Sequence, residues 1–276
     1  MRKTVLSLAV ALIATSAIAQ QVKTPRPSPT ATFTQTVGVT DITVKYSRPG
    51  VKGRTVFGDL VPWDKVWRTG ANEATTITFT DDVKINGQDL KKGTYSLHTI
   101  PGRDQWSIIF NTVADQWGSY SYDPTKDALK VAARPERNPS PVEWLTIDVP
   151  QMSTDEATFY IRWADVSVPF TVNTNSTART LANFRNAMSP SWQTAYMAAN
   201  FAFENKAGTP EEMNAWLEQS LKANENIANL WLKARVLKEQ GKTAEAIRTA
   251  ERAIAAATPQ QKDFAAEVKR QSDKWR

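Results

Sequence analysis

The sequence predicts a mainly antiparallel β sandwich followed by an all-α segment of helical hairpins. Three observations carry this prediction. Between Ala31 and Val172 apolar side chains recur at every second position in short runs. After Asn173 the period lengthens to that of a helix. Turn chemistry separates the runs of the first region, and proline-led caps open those of the second. A strand alternates its faces and a helix repeats after 3.6 residues, so the change of period marks a change of fold.

Residues 1–19 read as a signal peptide. Arg2 and Lys3 form a positive end, Val5 to Ile18 is apolar, and Ala17-Ile18-Ala19 presents the small-x-small pattern cut after Ala19. The apolar run falls short of the ~20 residues that span a bilayer. A periplasmic or secreted protein is expected, without a transmembrane segment after cleavage. Residues 20–30 are proline-rich and linker-like.

Residues 31–173 form the expected β domain. Ile42, Val44 and Tyr46 alternate with polar neighbours, as do Ile77 and Phe79, Tyr95 and Leu97, and Trp106, Ile108 and Phe110. Phe159, Ile161 and Trp163, then Val166, Val168 and Phe170, continue the pattern. Asp81-Asp82, Asn86-Gly87 and Pro101-Gly102 bound these runs. Asn-Gly is a strong hairpin signal because both residues tolerate positive φ. About ten short strands fit between Ala31 and Val172.

A polar stretch, Asn173 to Arg179, reads as a linker to a helical domain over 180–276. Ser189-Pro190, Thr209-Pro210 and Thr258-Pro259 each offer a capping hydroxyl followed by a proline suited to the first helical position. Thr209 with Glu212, and Thr258 with Gln261, have capping-box spacing. Gly208 and Gly241 mark helix ends 33 residues apart, the spacing of a helical-hairpin repeat. The second unit resembles a tetratricopeptide repeat, with Ala234, Gly241, Ala246 and Ala253 at the small positions. The first is degenerate, with Met213 where a small residue is expected.

Composition narrows the chemistry. The chain has no cysteine, so disulfides, thiolate nucleophiles and cysteine metal sites are excluded. Residues 20–175 carry 17 basic and 17 acidic side chains, and residues 176–276 carry 15 and 11. A modest excess spread over helices is a solvated face rather than a nucleic-acid footprint. No nucleic-acid partner, no cofactor and no metal are expected.

The stretch from Val61 to Thr80 concentrates the polar chemistry. Trp63 and Trp67 stand four apart, and Arg68, Asn72 and Glu73 supply donors and acceptors around Gly70. An aromatic plane beside planar hydrogen-bonding groups suits a sugar ring or another polar ligand. The alternative is that both tryptophans are core and Arg68 clasps Glu73 to fasten the loop. Ligand-binding candidates are therefore Trp67, Arg68, Asn72 and Glu73, joined by the single histidine, His98, and by Trp117 in Gln116-Trp117-Gly118. Arg48, Lys52 and Arg54, with no carboxylate between Asp41 and Asp59, form a second candidate, for an anion. No nucleophile elbow accompanies His98, and no paired carboxylates stand out for glycoside hydrolysis. No catalytic residue is assigned.

Several stretches resemble a bacterial envelope family catalogued as domain of unknown function 2911. They include Tyr46-Ser47-Arg48-Pro49, Val51-Lys52-Gly53-Arg54, Val56-Phe57-Gly58 and Leu60-Val61-Pro62. The longest runs from Lys65 to Thr75, KVWRTGANEAT, and Gly93-Thr94-Tyr95, Ile100-Pro101-Gly102, Trp106 to Asn111 and Gln116-Trp117-Gly118 follow. The likeness covers about residues 28–172. It implies an exported β domain without an assigned activity and supplies no catalytic residue. The expected function is a non-enzymatic binding module for a small polar or carbohydrate-like ligand. Alternatives are a scaffold that meets another envelope protein through its helices and, less favoured, a glycan hydrolase.

Overall fold

The structure, a computed structural model, describes residues 24–189 and 191–276. The expected signal peptide, residues 20–23 of the linker-like stretch and Pro190 lie outside the described residues. Ten strands precede six α-helices. The strands are β1 (Thr30–Val37), β2 (Thr40–Ser47), β3 (Thr76–Phe79), β4 (Val83–Ile85), β5 (Gln88–Leu90), β6 (Gly93–Ile100), β7 (Trp106–Asn111), β8 (Asp127–Ala133), β9 (Glu136–Met152) and β10 (Glu156–Asn173). They form a six-stranded sheet, β1-β2-β3-β6-β7-β8, and a four-stranded sheet, β5-β4-β10-β9. Every ladder is antiparallel.

Alternation explains the sandwich. The apolar sets read from the sequence are buried, apart from the half-buried Val166, and the two sheets' inner faces share one core. Asn86 and Gly87 take φ of 47° and 82° and turn β4 into β5, with Ile85 opposite Gln88. At one end of the core Trp67 stacks on Trp163, ring centres 5.8 Å apart, with Trp106 and Phe57 edge-on. At the other, Phe79, Tyr95, Phe110, Phe159 and Phe170 pack together. The long β10 slips register against β9 around Ala164, whose φ is 51°. A bulge there lets an 18-residue strand bend around the core.

The helices are α1 (Ser176–Ala187), α2 (Trp192–Asn205), α3 (Pro210–Ala223), α4 (Ile227–Glu239), α5 (Thr243–Ala255) and α6 (Lys262–Asp273). The expected linker is not slack: α1 begins inside it, at Ser176. Ser176 Oγ donates to the Val37 carbonyl at 3.2 Å and accepts from the Val39 amide at 3.1 Å. Gly38 (φ 61°) permits this approach, since a Cβ there would lie 2.2 Å from Ser176. Arg179 adds an ion pair to Asp81 at 2.9 Å and a bond to the Asp82 carbonyl at 3.0 Å.

The caps are mixed. Thr209 caps α3 through the Glu212 amide, with Pro210 at the first position. Glu212 does not reach back to complete the box; its carboxylate holds Arg185 at 2.7 and 2.8 Å. Thr258 and Gln261 do form a reciprocal box. The α2 cap is Ser191 rather than Ser189. Gly208 and Gly241 occupy the turns of two hairpins, α2–α3 and α4–α5, at φ of 71° and 77°. Ala234, Ala246 and Ala253 are fully buried, so α4 and α5 approach closely. Met213, the counterpart of Ala246, is instead half-buried beside an open groove of about 430 Å³. No described helix is long and apolar enough to cross a membrane.

Candidate functional site

The segment between Val61 and Thr75 straps the end of the six-stranded sheet. Trp67 exchanges both backbone bonds with Thr99 of β6, each 2.8 Å. Side chains alternate along such a bridge, so Trp67 turns into the core and Arg68 turns out, opposite His98. Beyond Arg68 the chain doubles back, and the Thr75 amide meets the Arg68 carbonyl at 3.3 Å. Thr69 and Asn72 take φ of 54° and 60°, an unusual conformation for a β-branched residue such as Thr69. Hydrogen bonds hold it there. Thr69 Oγ1 donates to Thr99 Oγ1 at 3.1 Å, and Thr75 Oγ1 donates to the Thr69 carbonyl at 2.8 Å. The Trp67 indole N–H reaches the Gly70 carbonyl at 3.0 Å.

A second loop, residues 112–123 between β7 and β8, lies against this strap. The Ala74 amide donates to the Gln116 carbonyl at 3.0 Å, and the Gly118 amide to the Asn72 carbonyl at 3.1 Å. Trp117 thus sits between two anchored neighbours, with Glu73 opposite it. Its side chain nevertheless remains 59% exposed, and Tyr120 is 85% exposed. A Cβ on Gly118 would meet the Tyr120 ring at 3.1 Å and Arg68 Nη1 at 3.5 Å. Tyr120 and the Arg68 guanidinium therefore flank Gly118 closely.

Beneath this loop lies a buried polar patch. Gln116 Nε2 donates to Ser96 Oγ at 3.1 Å and to the Val113 carbonyl at 2.8 Å. Its Oε1, Arg68 Nε and both His98 ring nitrogens are buried without a protein partner. His98 has no exposed surface. Burial pulls its pKa from 6.5 to about 4, against the opposing pull of the Gly118 backbone and the Asp127 carboxylate. Its ring packs 5.1 Å from that of Tyr122, whose hydroxyl is engaged with Asp127 Oδ2 at 2.7 Å. Burial first, and then the Asp127 bond, raise the Tyr122 pKa. A general base needs a partner that orients it, and no side chain bonds either nitrogen of His98.

The structure brings Arg68, Asn72, Glu73, His98 and Trp117 to this contact with unequal access, and turns the sixth ligand-binding candidate, Trp67, into the core. Trp67 is 8% exposed and its ring is covered by Trp163, so it offers no face to a ligand. The sequence alternative that placed Trp67 in the core describes its position. The Asn72 amide nitrogen donates to the Ser28 carbonyl and Ser47 Oγ, at 3.2 and 3.3 Å. His98 is sealed and Arg68 half-buried. Glu73 and Trp117 face solvent.

The expected Arg68–Glu73 clasp is replaced by another. Arg26 Nη1 holds both Glu73 oxygens at 2.9 Å. A bond to its own backbone amide, and then Arg26, keep the Glu73 carboxyl below its usual range. A general acid needs the opposite. Sequence reasoning missed Arg26, in the proline-rich lead, and Tyr120. The run Gly118-Ser119-Tyr120-Ser121-Tyr122 carried a usable signal for Tyr120, a short polar loop rich in tyrosine.

The basic group has structural employment. Arg48 donates to the Leu145 carbonyl and Thr146 Oγ1 at 2.8 and 2.9 Å. Arg54 donates to the Val51 and Gly50 carbonyls at 3.0 and 2.6 Å. Lys52 lies 5.8 Å from the Trp144 ring centre, and its backbone amide meets Glu143 Oε1 at 2.9 Å. Glu143, remote in sequence, thus brings a carboxylate to a segment that read as purely basic.

Among the described residues no three His, Asp or Glu side chains stand close enough to hold a metal ion. Two roomier clefts, of about 430 and 600 Å³, lie among the helices and away from this contact. The second is lined by pairs already formed, Lys233–Glu218 and Arg252–Glu225.

No curated protein and no solved structure matches the chain. A family model described as "Protein of unknown function (DUF2911)" matches residues 28–172. That match spans the whole β sandwich except the last residue of β10, with the strap and the Trp117 loop, and is more than half of the chain. The chain therefore belongs to the DUF2911 family of proteins of unknown function.

Proposed function

We propose that this is an exported, non-enzymatic binding module whose β domain receives a small polar or carbohydrate-like ligand on the Trp117 platform. The observation that carries the reading is an indole left 59% exposed between two backbone-anchored neighbours. Exposing that much apolar surface forgoes the gain from burying it. Holding it rigid lowers the ordering entropy a ligand must offset on binding. Tyr120, exposed beside Gly118, offers a second aromatic ring on the same loop, and the Glu73–Arg26 pair stands opposite Trp117 with polar groups. A sugar ring would stack its apolar face on the indole and set hydroxyls toward the carboxylate and guanidinium. The lowered Glu73 pKa weighs against that residue as the general acid of a glycoside hydrolase.

The test is a glycan array probed with the mature chain and with Trp117→Ala. Binding to a defined glycan class, lost in a folded Trp117→Ala variant, supports the reading. An empty array, or hits that the substitution leaves untouched, removes it. For export, N-terminal sequencing of protein recovered from the envelope should begin at Gln20.

A second reading assigns the helices to a partner in the envelope. It is favoured by the groove beside Met213, where Ala202, Phe203, Ala207 and Val236 present an apolar floor. Retention of an envelope protein by the full chain, abolished by Met213→Glu, would support it.

A further inference from the structure

The four sheet edges of the sandwich are not equally protected. An open edge offers unpaired N–H and C=O groups to any other strand, and proteins blunt it with short strands, charges, prolines or bulges. β5 is only three residues long. β8 carries Asp127 and Lys130. β9 carries Pro139, Pro141 and Pro150, several charges and register slips. β1 has none of these devices. Its eight residues, TATFTQTV, hold no charge and no proline, and its register with β2 runs unbroken from Thr30–Ser47 to Val37–Thr40.

The unpaired groups can be named. Gly38-Val39 is a two-residue turn with Gly38 at φ 61°, so Val37 and Thr40 form the hydrogen-bonded pair that flanks it. Alternate pairs then leave the N–H and C=O of Thr30, Thr32, Thr34 and Thr36 pointing away from β2. Side-chain geometry agrees: Thr34 and Thr43 hydroxyls meet at 2.8 Å, and Thr36 Oγ1 donates to Asp41 at 2.6 Å, the close contact of non-hydrogen-bonded pairs. Among the described residues the Gln35 side chain, donating to the Thr36 carbonyl at 2.9 Å, is the one group engaging this row. Among the described residues, the chain that precedes β1 does not cover it. Residues 26–29 run instead to Arg48, Asn72 and Glu73.

We infer that β1 is a self-association edge, pairing antiparallel with β1 of a second copy of this chain about a two-fold axis. The strand is self-complementary. In the register centred on Phe33, Thr32 faces Thr34 and Thr30 faces Thr36 of the second copy, and each pair exchanges two backbone bonds. On the inner face the half-buried Phe33 of each copy meets its mate at the closer, non-hydrogen-bonded position. With no charged side chain in the strand, two-fold pairing sets no like charges opposite one another. The two six-stranded sheets would continue as one. A single strand pair is a small interface, so the dimer is expected to be weak.

The test uses sedimentation velocity on the mature chain up to roughly 0.5 mM, the range a weak contact requires, with amide exchange as a site readout. The expected result is a concentration-dependent dimer, with the Thr32, Thr34 and Thr36 amides protected only at high concentration. Thr34→Pro removes an outward N–H and no β1–β2 backbone bond, as edge prolines can, and costs only the Thr34–Thr43 hydroxyl contact. Thr34→Lys adds the missing charge. Each should weaken dimerisation by about tenfold or more, while Thr78→Lys, on the same face but in the inner strand β3, should not. A monomer throughout the range, whatever other strand the edge might accept, overturns the inference. So does a dimer that both Thr34 variants leave intact, or one without protection of the three amides.

Discussion

His98 offers a quantitative test of how firmly the loop carrying Trp117 is seated. The ring is sealed beneath residues 112–123 and its nitrogens have no protein partner, so the neutral form is the one that fits. Its pKa falls from 6.5 to about 4 in the folded chain. The unfolded chain therefore binds more protons between these values, and stability rises with pH across that window. The contribution is complete above pH 6.5 and is lost as pH falls through 6.5 toward 4. At 1.36 kcal/mol per pH unit the full loss is about 3 kcal/mol. Urea unfolding of the wild type and of His98→Gln, from pH 4 to 8, gives the difference curve in which unrelated carboxylates cancel. The difference should be flat above pH 7 and fall toward pH 4. Because the chain has one histidine, a tag-free sample should give a single imidazole resonance whose titration reports the folded pKa directly. A midpoint near 6.5, or a flat difference curve, would refute the claim that the 112–123 loop seals this ring.

Three further outcomes follow from the packing. Trp67→Ala removes a buried indole stacked on Trp163 and frees the Gly70 carbonyl; a loss of about 3–5 kcal/mol in denaturant unfolding is expected. Trp117→Ala touches an exposed ring and should shift stability by less than about 0.5 kcal/mol while abolishing ligand binding; a large destabilisation would mean the indole is structural. Gly38→Ala places a Cβ 2.2 Å from Ser176 on a backbone with φ 61°. It should loosen the first turn of α1 from the β1–β2 hairpin, seen as faster amide exchange at Val39 and Ser176, whereas Gly53→Ala, with open space around it, should leave that junction unchanged.

Much of the fold was legible because it is local. Period-two runs, the Asn86-Gly87 turn and the Thr209-Pro210 cap each declare themselves within a few residues. The strap was legible as a dense polar-aromatic loop, but the direction of each side chain was not. The Trp67–Thr99 bridge decides it, sending Trp67 inward and Arg68 outward, and that bridge joins positions 32 apart. Charge partners were hidden for the same reason. Glu73 meets Arg26 from the proline-rich lead, and Glu143 from β9 accepts a bond from the Lys52 backbone amide. The polar stretch after Asn173 read as a linker because polarity alone does not distinguish solvated chain from chain bonded to another element. Ser176 and Arg179 spend their polarity on the β1–β2 turn and on Asp81 and Asp82.

The most direct test of the binding account is an indole N–H NMR titration of the mature chain with the strongest glycan from the array. Assigned by substitution, the Trp117 signal should move with saturable dose dependence, accompanied by Tyr120 ring signals, while Trp67 and Trp163 stay in place. Movement confined to signals from the helices, with Trp117 unchanged, would contradict a ligand site on this loop.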